Sequence, residues 1–180
     1  MKNLGTLLEE YIAAYPNEKA AINMLEFFNK DKNCFQKDNQ KGHFTGSAWV
    51  VSPDRSQVLM TNHKKLNMWL QLGGHADGID DLISVAIREA KEESGFDNFV
   101  LVSENIFDLE IHEVPAIAED PLHLHYDVRF LLEADPKNNT IVISNESHDV
   151  QWIALDKVVK LNPENSMHRM VKKTSALFRQ

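Results

Sequence analysis

The chain has 180 residues, 43% of them hydrophobic, with 19 Lys and Arg against 27 Asp and Glu for a formal net charge of −8. Apolar residues are spread along its whole length and no apolar run approaches ~18 residues, which excludes a disordered polymer and a transmembrane span. The acid surplus argues against a long nucleic acid or an anionic membrane as partner, since both call for a basic patch, but it leaves room for a small phosphorylated substrate carried by a metal cation.

One domain with a terminal extension is the expectation at this length. The N-terminus lacks an apolar stretch followed by a small-residue cleavage site, so no signal peptide is expected. The lone Cys34 has no partner for an internal disulfide, which fits a reducing cytoplasm. Leu4, Leu7, Leu8, Tyr11, Ile12 and Tyr15 share one helical face. Pro16 and Asn17 interrupt it, and Glu18 to Phe28 reads as a second helix. Residues 1–42 therefore form a helical extension that closes with a polar connection, and 43–180 form the main domain.

From His43 the pattern turns strand-like. Residues 44–52 and 57–64 read as a hairpin around Pro53–Ser56, and 68–72 is a short apolar run ending at Gly73 and Gly74. Asp81 to Ser94 reads as a helix, capped by Asp80 or Asp81 and stopped by Gly95. Residues 99–114, 123–132 and 140–144 read as strands, 150–161 as a strand passing into a short helix, and Met167 to Phe178 as a C-terminal helix. Strands and helices are mixed without the alternation of a doubly wound sheet, so the fold class is α+β or a mixed α/β sandwich.

The helix after Gly74 carries the chemistry. Ile83, Ala86, Ile87 and Ala90 make a buried stripe, and Glu89, Glu92 and Glu93 share an arc beside it. Arg88 lies one turn before Glu92 and is placed to pair with it. A solvated helix face is the ordinary reading of such a cluster. Against it, like charges at these spacings repel by roughly 0.2–0.5 kcal/mol per pair. The last turns of a helix also disfavour acids by roughly 0.3–1 kcal/mol each, and no basic residue lies four positions after any of the three. A divalent cation would reverse the sign of these effects, and an oxygen-only donor set suits Mg²⁺ or Mn²⁺ better than Zn²⁺.

The segment Gly74 to Phe96 resembles the signature of the Nudix hydrolase family, G-x5-E-x7-R-E-U-x-E-E-x-G-U with U a bulky aliphatic residue. It reads Gly74, Asp80, Arg88-Glu89-Ala90-Lys91-Glu92-Glu93-Ser94-Gly95-Phe96, in register without gaps. Asp80 stands for the first Glu, Ala90 is small, and Phe96 is aromatic; none of the three replaces one of the later glutamates. The resemblance implies an α/β/α sandwich with a mixed central sheet. It also implies a hydrolase that uses Mg²⁺ or Mn²⁺ to cleave a nucleoside diphosphate linked to another moiety. By position, Glu92 and Glu93 would be metal ligands, Glu89 a ligand or the general base, and the Gly73 carbonyl a backbone ligand. Arg88 would orient the glutamates, and Gly74 would allow the close approach of the loop. Many members recruit a further acid shortly before a tryptophan; Glu146, six residues before Trp152, is the candidate for a further ligand or an alternative base.

A second constellation lies in 123–132. At strand period, His123, His125, Asp127 and Arg129 share one face, and Leu124, Tyr126, Val128, Phe130 and Leu132 form the core face. The polar face reads either as a substrate wall, with His123, His125 and Arg129 meeting phosphate or ribose, or as a solvent-facing strand balanced by Asp127 and Arg129. A zinc site at His123 and His125 lacks a third soft ligand nearby in sequence, with Cys34 remote. His75 follows Gly74 directly and is a substrate-contact candidate. Trp69 reads as packing, and 113–121, stiffened by Pro115 and Pro121, as a loop at the mouth of the site.

Two other functions stay open on these residues. One is a non-catalytic nucleotide-sensing module of the same fold, which the three late glutamates disfavour. The other is an enzyme similar to isopentenyl-diphosphate isomerase, which needs a catalytic thiol near the sheet. A homodimer is the default assembly for a small enzyme. Two divalent ions would bring the charge from −8 to about −4.

Overall fold

The structure is a computed structural model that describes residues 2–116, 121–137 and 140–177. Helix α1 spans Leu4–Ala14 and opens at Asn3, whose side chain accepts from the Thr6 backbone N–H. Helix α2 spans Lys19–Lys30. The strands are β1 Gly42–Val51, β2 Gln57–His63, β3 Met68–Leu70, β4 Leu72–His75, β5 Val100–Leu101, β6 Asp108–Val114, β7 His123–Glu133 and β8 Ser147–Ala154. Helix α3 spans Leu82–Ser94, α4 Val158–Leu161 and α5 Asn165–Leu177.

All eight strands belong to one mixed sheet. β1 and β7 run parallel at its centre, in register from Gly42↔Leu124 to Val51↔Glu133. Every other pairing is antiparallel. β1 gives its first half to β4 and its end to β2, while β7 gives its first half to β6 and its end to β5. β2 also pairs with β3 and β8.

Each face of the sheet buries its own apolar core. On one face Phe44, Ala48, Val50, Val128, Phe130 and Leu132 pack with Leu82, Val85, Ala86 and Ala90 of α3. Leu4, Leu7, Leu8 and Tyr11 of α1 and Ala21 and Met24 of α2 belong to the same core, so the helical extension is continuous with the sheet's packing. On the other face Trp49, Val51, Val58, Met60, Leu131 and Ile153 pack with Val158 and with Met167 and Met170 of α5. The α/β/α sandwich expected from the sequence is therefore present.

Two strand expectations are corrected. The run 99–114 is broken into β5 and β6, both on β7, because Ser103 Oγ accepts from the Asn105 N–H and turns the chain between them. Residues 140–144 form no strand. Instead the Val142 N–H donates to the Ser94 carbonyl at 2.8 Å, so the segment satisfies an otherwise orphaned carbonyl at the end of α3.

Candidate active site

Helix α3 begins at Asp81, whose side chain accepts from the Ser84 N–H, and ends at Gly95 in the left-handed region with φ 75°. Between these caps its apolar positions lie on β1. Gly46 and Gly74, neighbours in the β1–β4 ladder, leave the room: a Cβ at Gly46 would meet Val85, and one at Gly74 would overlap the Glu89 carboxylate. The absence of side chains on the strands thus lets the glutamate end of α3 approach the backbone of β4.

Glu93 is buried and accepts from the Gly73 N–H at 2.9 Å. Glu89 is half-buried, and Glu92 faces solvent. Arg88 contacts Glu89 at 2.9 Å and donates to the His75 carbonyl at 2.9 Å. The expected Arg88–Glu92 pair is thus replaced, because the His75 carbonyl draws the guanidinium toward β4 and onto Glu89. Burial pushes the Glu89 carboxyl up to about 7, against the pull of Arg88, with Glu92 and Glu146 adding to the rise. Burial likewise pushes Glu93 up to about 8, against the Gly73 N–H, with Glu89, Glu146 and Glu92 adding. Glu146 stands exposed in the turn before β8, where its carbonyl accepts from the Lys64 N–H. Its charge bears on both buried carboxyls, although 53 or more residues separate it from them in sequence.

Several crowded carboxyls whose ionisation is opposed by burial and by one another fit a hard divalent cation, which would relieve both effects. The charges of Glu92 and Glu146 bear on both Glu89 and Glu93, and Glu93 is held at the Gly73 backbone.

The opposite face of β4, β1, β7 and β6 is polar over its first half, and ladder register sets its rows. His43, His125 and His112 lie in one row, Thr45 with Asp127 and Glu110 in the next, Ser47 with Arg129 and Asp108 in the third. His75 pairs with Thr45. The third row is closed. Arg129 is 3% exposed and donates to Asp127 at 2.7 Å and to Asp108 at 3.2 Å. This corrects its reading as a substrate contact: β6 supplies a buried carboxylate that the sequence of β7 does not reveal. Asp127 also accepts from Thr45, Ser47 and Gln71. Although burial opposes its ionisation, the Arg129 charge beside it holds its carboxyl below the usual range. Nor does this strand face solvent, since Asp127 is 2% exposed.

His123 and His125 remain half-buried at the open end of that face, and His43 of β1 joins them. His43 and His112 were not singled out by the sequence; only the register of β1 and β6 on β7 brings them to His125. Trp69 packs against the α5-side core, as expected. The expected mouth loop includes residues 117–120, which lie outside the described residues.

The family model of the NUDIX domain matches residues 42–174. The chain belongs to the Nudix hydrolase family. The same fold recurs in the C. elegans Ap4A hydrolase in a binary complex (TM-score 0.57, 18% identity, 76% of this chain and 97% of that one). It recurs in the E. coli dihydroneopterin triphosphate pyrophosphohydrolase (TM-score 0.56, 16% identity, 72% and 92%) and in the MutT protein of Methanosarcina mazei (TM-score 0.56, 14% identity, 79% and 99%). No curated protein matches the chain. The Nudix signature helix is α3, and two of its late glutamates, Glu89 and Glu93, approach β4, while Glu92 faces solvent. No described helix is long and apolar enough to cross a membrane.

Proposed function

We propose that this Nudix hydrolase cleaves the diphosphate bond of a nucleoside diphosphate linked to a second moiety, with Mg²⁺ or Mn²⁺ as cofactor. One observation carries the reading: Glu89 and Glu93 are brought together within the field of Glu146, where, among the described residues, Arg88 at Glu89 is the one cation paired with them. Glu92, Glu93 and Glu146, with the Gly73 carbonyl, are the proposed ligands, and Glu89 is a ligand or the base. A bound divalent cation supplies charge neutralisation of the diphosphate and an electrophilic phosphorus.

Arg88 holds Glu89 toward β4. Burial raises the proton affinity of the Glu89 carboxyl, the direction that suits a general base. Glu89, or Glu146 in its place, takes a proton from water as the water oxygen bonds to one phosphorus. The bridging P–O bond breaks, and both products end in phosphate. His75 anchors Arg88 through its carbonyl, while its ring lies with His43 and His125 on the other face of the sheet.

The test is a substrate panel with Mg²⁺ or Mn²⁺: nucleotide sugars, ADP-ribose, Ap4A and other dinucleoside polyphosphates, nucleoside triphosphates, dihydroneopterin triphosphate and coenzymes. We expect release of two phosphate-terminated fragments from at least one nucleoside diphosphate conjugate. Absence of turnover across the panel would overturn the reading.

A further inference from the structure

Five histidine rings converge where the first residues of β1 and β7 meet the last residues of β4 and β6. The centroid of His43 lies 5.1 Å from those of His75 and His123 and 4.8 Å from that of His125. His112 lies 5.3 Å from His125 on its other side. This is the face of the sheet away from α3, so the group is distinct from the glutamate cluster; His75 links the two, its carbonyl accepting from Arg88 and its ring within the field of Glu146.

We infer that His43, His123 and His125 form a second metal site, one that takes a divalent transition metal of the Zn²⁺ type. One ring nitrogen from each lies within 4.8 Å of the others. The His123 and His125 Nε2 atoms are 3.3 Å apart, the separation of two ligands about 2.0–2.1 Å from one tetrahedral zinc. Nδ1 of His123 lies 2.8 Å from the Pro121 carbonyl. A carbonyl only accepts, so Nδ1 carries the proton and Nε2 presents its lone pair to His125. A ligating imidazole is commonly anchored in this way through its second nitrogen.

His43 makes the strongest demand. It is 1% exposed, and neither of its ring nitrogens makes a hydrogen bond of normal geometry among the described residues. Leaving a buried polar group unsatisfied costs about 1–3 kcal/mol, and a metal removes that cost. Burial, together with the neighbouring imidazoles, holds His43 down to about 4 and His125 down to about 3. Both are therefore neutral at physiological pH, the form in which imidazole binds metal. Three imidazoles suit zinc, copper, iron or nickel rather than magnesium. Three such ligands would leave a fourth position for water or an exogenous oxygen, and the His75 and His112 rings lie beside the group.

The full-length protein, stripped by chelation, is titrated with Zn²⁺ against a chromogenic chelator in excess Mg²⁺, and separately with Co²⁺ while its visible absorption is followed. We expect one Zn²⁺ per chain that Mg²⁺ does not displace, and the ligand-field bands of Co²⁺ with nitrogen ligands. Both should be lost in the double variant His123→Ala/His125→Ala and retained in Glu93→Gln. The half-exposed pair is chosen because replacing the buried His43 could unfold the chain, and circular dichroism of the metal-free variant confirms that it is folded. Absence of the bound equivalent in the unaltered protein overturns the site. So does an equivalent that persists in the double histidine variant and vanishes in Glu93→Gln, which assigns the ion to the glutamates. Because the readout is stoichiometry and absorption, it is independent of whether any diphosphate is hydrolysed.

Discussion

Glu93 is the most constrained carboxylate of α3. It is 5% exposed, and one oxygen is held by the Gly73 N–H. Replacing it with Gln keeps the shape and an acceptor for that N–H while removing the charge a cation would meet. Glu93→Gln is therefore expected to lower kcat with the best panel substrate by orders of magnitude, while circular dichroism and the urea midpoint stay near the parent values. Unchanged kcat would remove Glu93 from the ligand set. Cys34 makes a second residue-scale case. It is 2% exposed, lies in the core under α1 and α2, and burial pushes its thiol up to about 11. A thiol so placed is inert. Iodoacetamide at pH 8 is expected to label Cys34 slowly in the folded protein and rapidly in denaturant, and Cys34→Ser is expected to retain full turnover. Fast labelling of the folded chain would reopen thiol chemistry of the isomerase type.

At the scale of the element, α3 is a helix whose ends are well made and whose last turns are electrostatically costly. Glu89 and Glu93 ordinarily titrate near 4.5, and in the folded, metal-free chain they titrate near 7 and 8. The folded state thus holds protons that the unfolded state has already lost. Their favourable contribution is complete below about pH 4.5 and disappears as pH rises through 7 to 8. Thermal melts of the metal-free protein should show Tm falling across this window, with saturating Mg²⁺ raising Tm most at its upper end. A Mg²⁺ effect equal at pH 5 and pH 8 would contradict this. The C-terminal cap is testable separately. Gly95 has φ 75°, and a Cβ there would strike Val142. Gly95→Ala should cost about 1–2 kcal/mol in urea unfolding from the left-handed backbone alone, and more if Val142 is pushed off the Ser94 carbonyl.

Across the whole molecule, one buried ionic network ties the termini to the sheet. Asp108 is fully buried and meets Arg129, Arg169 and Lys173. Lys173 in turn donates to the Tyr11 hydroxyl of α1, which donates to Glu18 before α2. Such a pair adds little net stability over an apolar replacement, but removing one partner strands the remaining charges, at about 3–5 kcal/mol. Asp108→Ala is expected to lose about that much in urea unfolding and to expose α1 to limited proteolysis. A loss below about 1 kcal/mol, the range of a surface pair, would show that Asp127 and Glu110 absorb the freed cations.

The helix α3, its caps and the spacing of Glu89, Glu92 and Glu93 were legible in the sequence because helical periodicity and capping are local: each depends on residues within about four positions. For the same reason the two terminal helices and the core face of β7 could be read directly. What lies between distant segments was not legible. Residues 140–144 have the composition of a strand, yet they cap α3. The sequence offered Arg129 only Asp127 as a partner; its second carboxylate, Asp108, sits 21 residues earlier, on a strand whose register the sequence does not state. The third imidazole beside His123 and His125 is His43, placed there by the parallel β1–β7 pairing, which joins residues about 80 apart. Sequence alone thus determined the glutamate helix and the family it signals, since both are written in short-range spacing. Tertiary structure alone decided which charges are buried, which are paired and which histidines meet, because strand register is set by packing of the whole sheet.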